Sequence, residues 1–381
     1  MTMQSISIYI HIPFCKKKCR YCDFYSVPYE KGLADDFIKA LVLEWDIVKK
    51  QFALSHTTIK SVFFGGGTPS LLSYEQWEAL HKTFLRELHT TDKTEWTIEC
   101  NPDSFSIEKA QFWKTMGISR LTFGIQSLDN KELCLLGRPH NAATAESVLY
   151  NPILKQFKSV GADVMFGLPG QTPESFENSL TGILRNPVIT HISAYELAVN
   201  RDTSFGRHKS ILPLPGEDNI VDMTQKLIDT CAAQGFFPYE ISNFAKPGFE
   251  CIHNLSYWDH SPYIGLGPAA HSYIHPNRFS NKKNVFEYIS LLIKGERPID
   301  MIETLSQNDI CNELIFLRLR TSRGLNEIDF YQKTGRQFND EKRKAVLEEL
   351  LQEEYIYKIN VTWKLSNKGM MVADAIIKRL A

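Results

Sequence analysis

Six short apolar runs, each followed by a helix-like stretch, restrict the first half of this 381-residue chain to a small set of folds. Ile6, Ile8, Ile10 and Ile12 alternate with Ser7, Tyr9 and His11, the period of a strand. Further strands are expected at Ile59 to Phe64, Trp96 to Glu99, Leu121 to Phe123, Ala162 to Phe166 and His191 to Tyr195. Between them, helical patterns cover Leu33 to Phe52, Ser73 to Leu88 with Ser73 as cap, 106–116, 129–158 with a break at Gly137-Arg138-Pro139, and 173–185. Alternation of this kind implies an α/β fold with a parallel sheet and helices outside. Six strands instead of eight predict a partial, open (β/α)6 TIM-like barrel, wide enough for a bulky substrate.

Polar residues gather where such strands end. The segment from Cys15 follows strand one, and Gly65-Gly66-Gly67-Thr68-Pro69 follows strand two. Glu99 closes strand three, Gln126 follows strand four and Glu196 follows strand six. In β/α barrels the site assembles at these C-terminal ends, so all of these residues are candidates for one site.

Beyond residue 205 the pattern changes. The proline-rich Leu212-Pro213-Leu214-Pro215 precedes an expected helix from Glu217 to Gln234, stopped by Gly235. An aromatic, glycine-rich region with several histidines follows, and the last 75 or so residues read as a small helical module. There, Tyr355 to Ile359 turning back through Thr362 to Leu365 suggests a hairpin before a final helix, as in a winged helix. The expected division is 1–235 for the barrel, 236–305 for the linking region and 306–381 for the winged-helix-like module. Mixed charges in that module (Asp340-Glu341-Lys342-Arg343-Lys344) form no basic stripe, which argues against nucleic acid and for a lid or docking surface. Formal net charge is −1, so the overall balance attracts neither nucleic acid nor anionic lipid. The N-terminal MTMQSIS has neither the basic nor the apolar segment of a secretory signal, and no apolar run approaches the roughly 18 residues of a membrane span. A cytoplasmic location is the resulting expectation.

Eight cysteines are too few for a disulfide scaffold, and three of them fall within eight residues. Cys100, Cys134, Cys231, Cys251 and Cys311 are scattered and read as small buried hydrophobes. Cys15, Cys19 and Cys22 form C-x3-C-x2-C. A structural zinc site needs four ligands in paired knuckles, and there is no second pair. Closely spaced thiolates hold iron–sulfur clusters, normally four of them; three leave one iron open. Such a [4Fe–4S] core with three thiolates carries a net negative charge, which suits Lys16, Lys17, Lys18 and Arg20 in the same loop. Phe14, Tyr21, Phe24 and Tyr25 are placed to shield it.

The cysteine spacing after strand one resembles the hallmark of the radical-SAM superfamily. Tyr9-Ile10-His11-Ile12-Pro13-Phe14 and Gly65-Gly66-Gly67-Thr68-Pro69-Ser70 narrow the resemblance to the oxygen-independent coproporphyrinogen oxidase group. It runs from about residue 6 into the C-terminal module and implies the radical-SAM form of the partial barrel. It also implies that S-adenosylmethionine (SAM) chelates the open iron and is cleaved by an electron from the cluster. By this resemblance Tyr9, Gly66, Gly67, Thr68 and Glu99 contact SAM. Gln126, Arg138 and Asp163 match residues that hold a second SAM in the oxidases, and Tyr21 and Ala198 join the cofactor-binding set. Read without the resemblance, each has a plainer alternative: Glu99 as a salt-bridged strand end, Arg138 as a helix-terminal cation and Asp163 as a hydrogen-bonded core carboxylate.

Two features depart from the oxidases. Cys22 is followed by Asp23-Phe24, where they carry a further cysteine two residues on, and only 14 residues precede Cys15, where they carry a long extension. His253-Asn254-Leu255-Ser256-Tyr257-Trp258 instead matches the HNxxYW motif of the HemW-type haem chaperone branch. That branch implies haem as a bound partner, transfer to acceptor proteins (a membrane-associated acceptor among them), and an electron donor whose identity the sequence leaves open. An imidazole is a common axial ligand of haem iron, so His253 is the expected ligand, with His271 as competitor. No C-x-x-C-H occurs, which leaves thioether attachment without support. The alternative is an oxidase that decarboxylates two propionates of coproporphyrinogen III.

Overall fold

The computed structural model describes residues 5–381. The first strand, β1 (Ser5–Ile12), leads through the cysteine loop into helix α1 (Lys31–Gln51). The chain then alternates through β2 (Thr58–Gly66), α2 (Tyr74–Thr83), β3 (Glu95–Cys100), α3 (Ile107–Thr115) and β4 (Arg120–Gln126). It continues with α4 (Asn130–Leu136), α5 (Ala142–Leu149), β5 (Ser159–Phe166), α6 (Pro173–Leu184) and β6 (Ile189–Glu196). β1 to β6 lie side by side in chain order and pair in parallel, which gives the expected open six-stranded barrel core.

Local chemistry explains the boundaries. Ser73 caps α2, accepting from the Gln76 N–H while the Gln76 side chain accepts from the Ser73 N–H, an exchange worth about 1 kcal/mol. Gly137, at φ 75°, ends α4 in the left-handed conformation that glycine tolerates and so produces the break between α4 and α5. Ile8, Ile10, Ile12, Val62, Phe64, Ile98, Phe123 and Ile192 are buried, and the helices close over them with Phe37, Leu41, Trp77 and Trp113.

The aromatic region adds strands to the barrel's sheet. After α7 (Glu217–Ala233), β7 (Asn243–Ala245) adds antiparallel to β6. Helix α8 (Ile252–Trp258) follows, and β8 (Tyr263–Leu266) then pairs in parallel with the free side of β1. β9 (His271–Ile274) and β10 (Asn277–Asn281) extend that side antiparallel. Helix α9 (Val285–Ile293) leads to β11 (Ile299–Thr304) at the far edge. The region thus continues the barrel's own sheet on both sides.

The C-terminal module has a separate apolar cluster around Leu314, Ile315, Leu319, Leu347 and Ile377. It comprises α10 (Gln307–Leu319), α11 (Glu327–Thr334), α12 (Glu341–Gln352), the hairpin β12 (Ile356–Ile359) and β13 (Thr362–Leu365), and α13 (Ala373–Leu380). Leu325 and Asn326 add a third, short strand beside β13, so the expected hairpin has the wing's sheet around it. Among the described residues, no helix is long and apolar enough to cross a membrane.

Candidate cofactor site at the strand ends

The C-terminal ends of the barrel strands surround a cleft of about 380 Å³, within the range of small-molecule sites. Cys15, Cys19 and Cys22 line it together with Tyr21, Gly66, Gly67, Thr68, Glu99, Gln126, Arg138, Asp163 and Ala198. Topology alone brings these residues together, since they come from all six barrel strands and the segments that follow them. Tyr9 and His253 instead line an adjoining cavity of about 280 Å³ inside the barrel, which shares Glu99, Asp163 and Tyr195 with the cleft.

All three cysteines are half-buried free thiols. Thr68 Oγ1 lies 3.6 Å from Cys15 Sγ and Arg138 Nη1 lies 3.6 Å from Cys19 Sγ. Burial pushes the Cys22 thiol up to about 11, so ligation there releases a proton. Among the described residues no three His, Cys, Asp or Glu side chains converge tightly enough for a single metal ion. The cysteines line a shared space instead, as thiolates on different irons of one cluster must. Of the scattered cysteines, Cys100, Cys231, Cys251 and Cys311 are buried as expected, whereas Cys134 is exposed on α4.

The glycine turn is tight because it packs against its own chain. A Cβ on Gly66, whose φ is 101°, would lie 2.4 Å from the His11 ring, and one on Gly67 would lie 2.6 Å from the Phe14 carbonyl oxygen. The Gly67 N–H donates to Ile12 O at 2.8 Å and the Thr68 N–H to Phe14 O at 2.8 Å. The missing side chains therefore let the turn pack against the root of the cysteine loop.

Charge in the cleft is arranged around two carboxyls and one guanidinium. The Gly66 N–H donates to Glu99 Oε2 at 3.1 Å, yet burial, and then the neighbouring Asp163, push the Glu99 carboxyl up to about 8. Burial pushes Asp163 up to about 6, against hydrogen bonds from Ser193 and Thr122. Arg138 donates through Nη2 to Asn101 Oδ1 at 2.7 Å and to Gly124 O at 2.6 Å, while its buried Nε has no partner among the described residues. Gln126 stands at φ 70°, at a register shift between β4 and β5. A left-handed glutamine is costly, and such strain collects at binding sites. Asn101, which links Thr68 to Arg138, was missed as a site residue; its position directly after strand three was the available signal.

His253 has a different setting from that of an open ligand. It is 1% exposed, its Nδ1 lies 2.9 Å from Ser61 Oγ, its Nε2 lies 2.9 Å from the Tyr257 hydroxyl, and its ring stacks on Phe63. Burial pushes it down to about 3, so it is neutral, and both ring nitrogens are engaged. His271 stands exposed on β9.

Comparison with known proteins places these features in a family context. The radical SAM superfamily model matches residues 9–181, and the HemN C-terminal domain model matches residues 305–372. The heme chaperone HemW of Bacillus subtilis is 33% identical over 373 residues, covering 97% of each chain. The heme chaperone HemW of Escherichia coli is 28% identical over 378 residues, covering 98% of this chain and 97% of that one. Among solved structures, the coproporphyrinogen III oxidase HemN of Escherichia coli, a radical SAM enzyme, superimposes with a TM-score of 0.86 over 100% of this chain and 91% of the other. At 21% identity that likeness establishes the fold.

Proposed function

The chain belongs to the HemW family of haem chaperones within the radical SAM superfamily, and from that premise we propose that it binds haem and passes it to acceptor proteins. The observation that carries the reading is the likeness to haem chaperones across 97% of both chains, aromatic region and C-terminal module included.

Radical SAM chains carry a [4Fe–4S] cluster and bind SAM, which together supply reductive cleavage of a sulfonium when loaded. The donor set here fits both. Cys15, Cys19 and Cys22 supply three thiolates, with Arg138 against Cys19 to offset their charge. The orphaned Nε of Arg138 and the Asn101 amide it orients suit an anionic group such as a carboxylate. Glu99, held by the Gly66 N–H, offers an acceptor to an ammonium group. Thr68 Oγ1 against Cys15 adds to the two backbone hydrogen bonds that join the glycine turn to the cysteine loop, so the turn and the thiolates are positioned together. Gln126 and Asp163 border the same space, and Tyr21 and Ala198 complete its wall. Tyr9 sits behind Glu99 in the adjoining cavity and orients His11 through a 3.1 Å hydrogen bond.

In this reading the barrel site senses or gates, and the haem is cargo. The chain works in the cytoplasm, draws electrons from a separate donor, and hands haem to acceptors that include membrane-associated ones. Titration of the anaerobically reconstituted protein with hemin tests the carrier role. A saturable Soret change at about one equivalent is expected; a spectrum equal to that of free hemin at every ratio contradicts it.

A further inference from the structure

The face formed by the cysteine loop and its neighbour carries a charge opposite in sign to that of the chain as a whole. Lys16, Lys17, Lys18 and Arg20 all stand exposed on the loop itself. The segment 200–209, between β6 and α7, docks beside them. The Phe205 N–H donates to Arg20 O at 2.9 Å, and Asn200 Nδ2 donates to Asp23 Oδ2 at 2.6 Å. That segment adds Arg201, Arg207 and Lys209, also exposed. Residues 16–24 and 200–209 together hold seven basic and two acidic side chains, in a chain whose formal net charge is −1.

Neither the fold nor the cluster accounts for so much positive charge. Lys16 pairs with Asp103 at 3.6 Å, but among the described residues Lys17, Lys18, Arg20, Arg201 and Lys209 form no ion pair. A [4Fe–4S] core on three thiolates carries about one net negative charge, which Arg138 beside Cys19 offsets from within. Like charges crowded on one face repel one another in the free protein, and the repulsion is relieved when an oppositely charged surface meets them. Apolar side chains stand among these charges. Phe24, two residues past Cys22, is 63% exposed at the mouth of the cleft, and Ile211, two past Lys209, is 76% exposed. A few apolar contacts inside a charged rim are the make-up of the small interfaces that redox partners use.

We propose that this face docks the electron donor of the cluster, and that the donor is an acidic protein carrying a one-electron centre. The proposal rests on the reading above that a separate donor supplies the electrons. Position favours such a donor over other acidic partners, because four of the basic residues belong to the loop whose cysteines hold the cluster. A protein seated on them stands directly over the iron. One electron leaves the reduced donor and enters the oxidised cluster, with no bond made and no proton moved. Only a brief encounter is needed, and complementary charge raises its frequency by about 10- to 1,000-fold.

The test uses the full chain with its cluster reconstituted and two acidic probes, a flavodoxin and a plant-type ferredoxin. Stopped-flow absorbance follows cluster reduction by each reduced probe, and titration of the oxidised probes gives their affinities. With at least one probe, the second-order rate should fall about tenfold or more between roughly 20 and 300 mM salt. Arg201→Glu combined with Lys209→Glu changes exposed residues that do not line the cleft. This variant should lose about tenfold in low-salt rate and affinity, whereas Lys294→Glu, just past α9, should lose neither. Photoreduced deazaflavin, a small reductant that needs no docking, should reduce all three proteins alike. Reduction by deazaflavin but by neither probe overturns the docking face while the reading of a separate donor stands. So do probe rates and affinities indifferent to salt and to the double substitution, even where the variant loses binding to phosphatidylserine vesicles. Failure of deazaflavin to reduce the cluster overturns the reading that the cluster takes up electrons, and the docking face with it.

Discussion

Arg138 Nη1 stands 3.6 Å from Cys19 Sγ, across a sequence separation of 119 residues. The same guanidinium satisfies Asn101 Oδ1 and Gly124 O, so one side chain joins the cysteine loop to the ends of β3 and β4. Arg138→Leu leaves those acceptors without a donor, at a cost of roughly 1–3 kcal/mol each if they stay dry. Thermal unfolding should show a clear loss of stability, and SAM affinity, followed by the reduced cluster's EPR spectrum, should fall at least about tenfold (each 1.4 kcal/mol is tenfold). A variant with unchanged SAM response removes Arg138 from the site.

Cluster assembly should depend on three of the eight cysteines. Cys19→Ala should lose most of the about four irons expected per chain and the accompanying charge-transfer absorbance. Cys100→Ala and Cys311→Ala remove buried thiols outside the cysteine loop, and Cys134→Ala an exposed one, so each should retain the iron. Iron and sulfide analysis after anaerobic reconstitution decides the matter.

Gly67→Ala should damage the cysteine loop before it affects SAM. The added methyl would press on the carbonyls of Ile12 and Phe14, and backbone cannot rotate away as a side chain would. Overpacking of this kind costs about 1–3 kcal/mol. Lower cluster yield together with a lower melting temperature is expected; normal cluster content with SAM binding alone abolished would restore the simpler view that the glycines face the ligand.

Glu99 makes the cofactor-free protein sensitive to pH. Its carboxyl lies near 8 in the fold against about 4.3 in an unfolded chain, so the folded state holds the extra proton between those values. Stability from this group is therefore full below the unfolded value and falls as pH rises through 8. Glu99→Gln should match the unaltered apoprotein near pH 4.5 and exceed it above pH 8, by on the order of 2 kcal/mol or more. Denaturant melts across that range check the sign; an advantage that shrinks with pH contradicts it.

The barrel was legible because its strands are buried on both faces or alternate cleanly, as in Ile6 to Ile12 and Ile59 to Phe64. The sheet extension was not. β8 and β9 are four residues long, and β11 is exposed along nearly its whole length, so neither period nor apolar content marks them. The cysteines announced themselves by spacing, whereas Asn101 depends on contacts between distant segments. His253 shows the converse: the motif around it was legible, but its burial under α8 against Ser61 and Phe63 was not.

On the proposed function this fold, shared with a coproporphyrinogen oxidase, carries haem instead of making a porphyrin. One anaerobic experiment tests it most directly: the reconstituted chain, with SAM and a strong reductant, is given coproporphyrinogen III in one vessel and hemin in another. Saturable hemin binding with no protoporphyrinogen formed is the expected result. Sustained formation of protoporphyrinogen, with hemin left unbound, would contradict it.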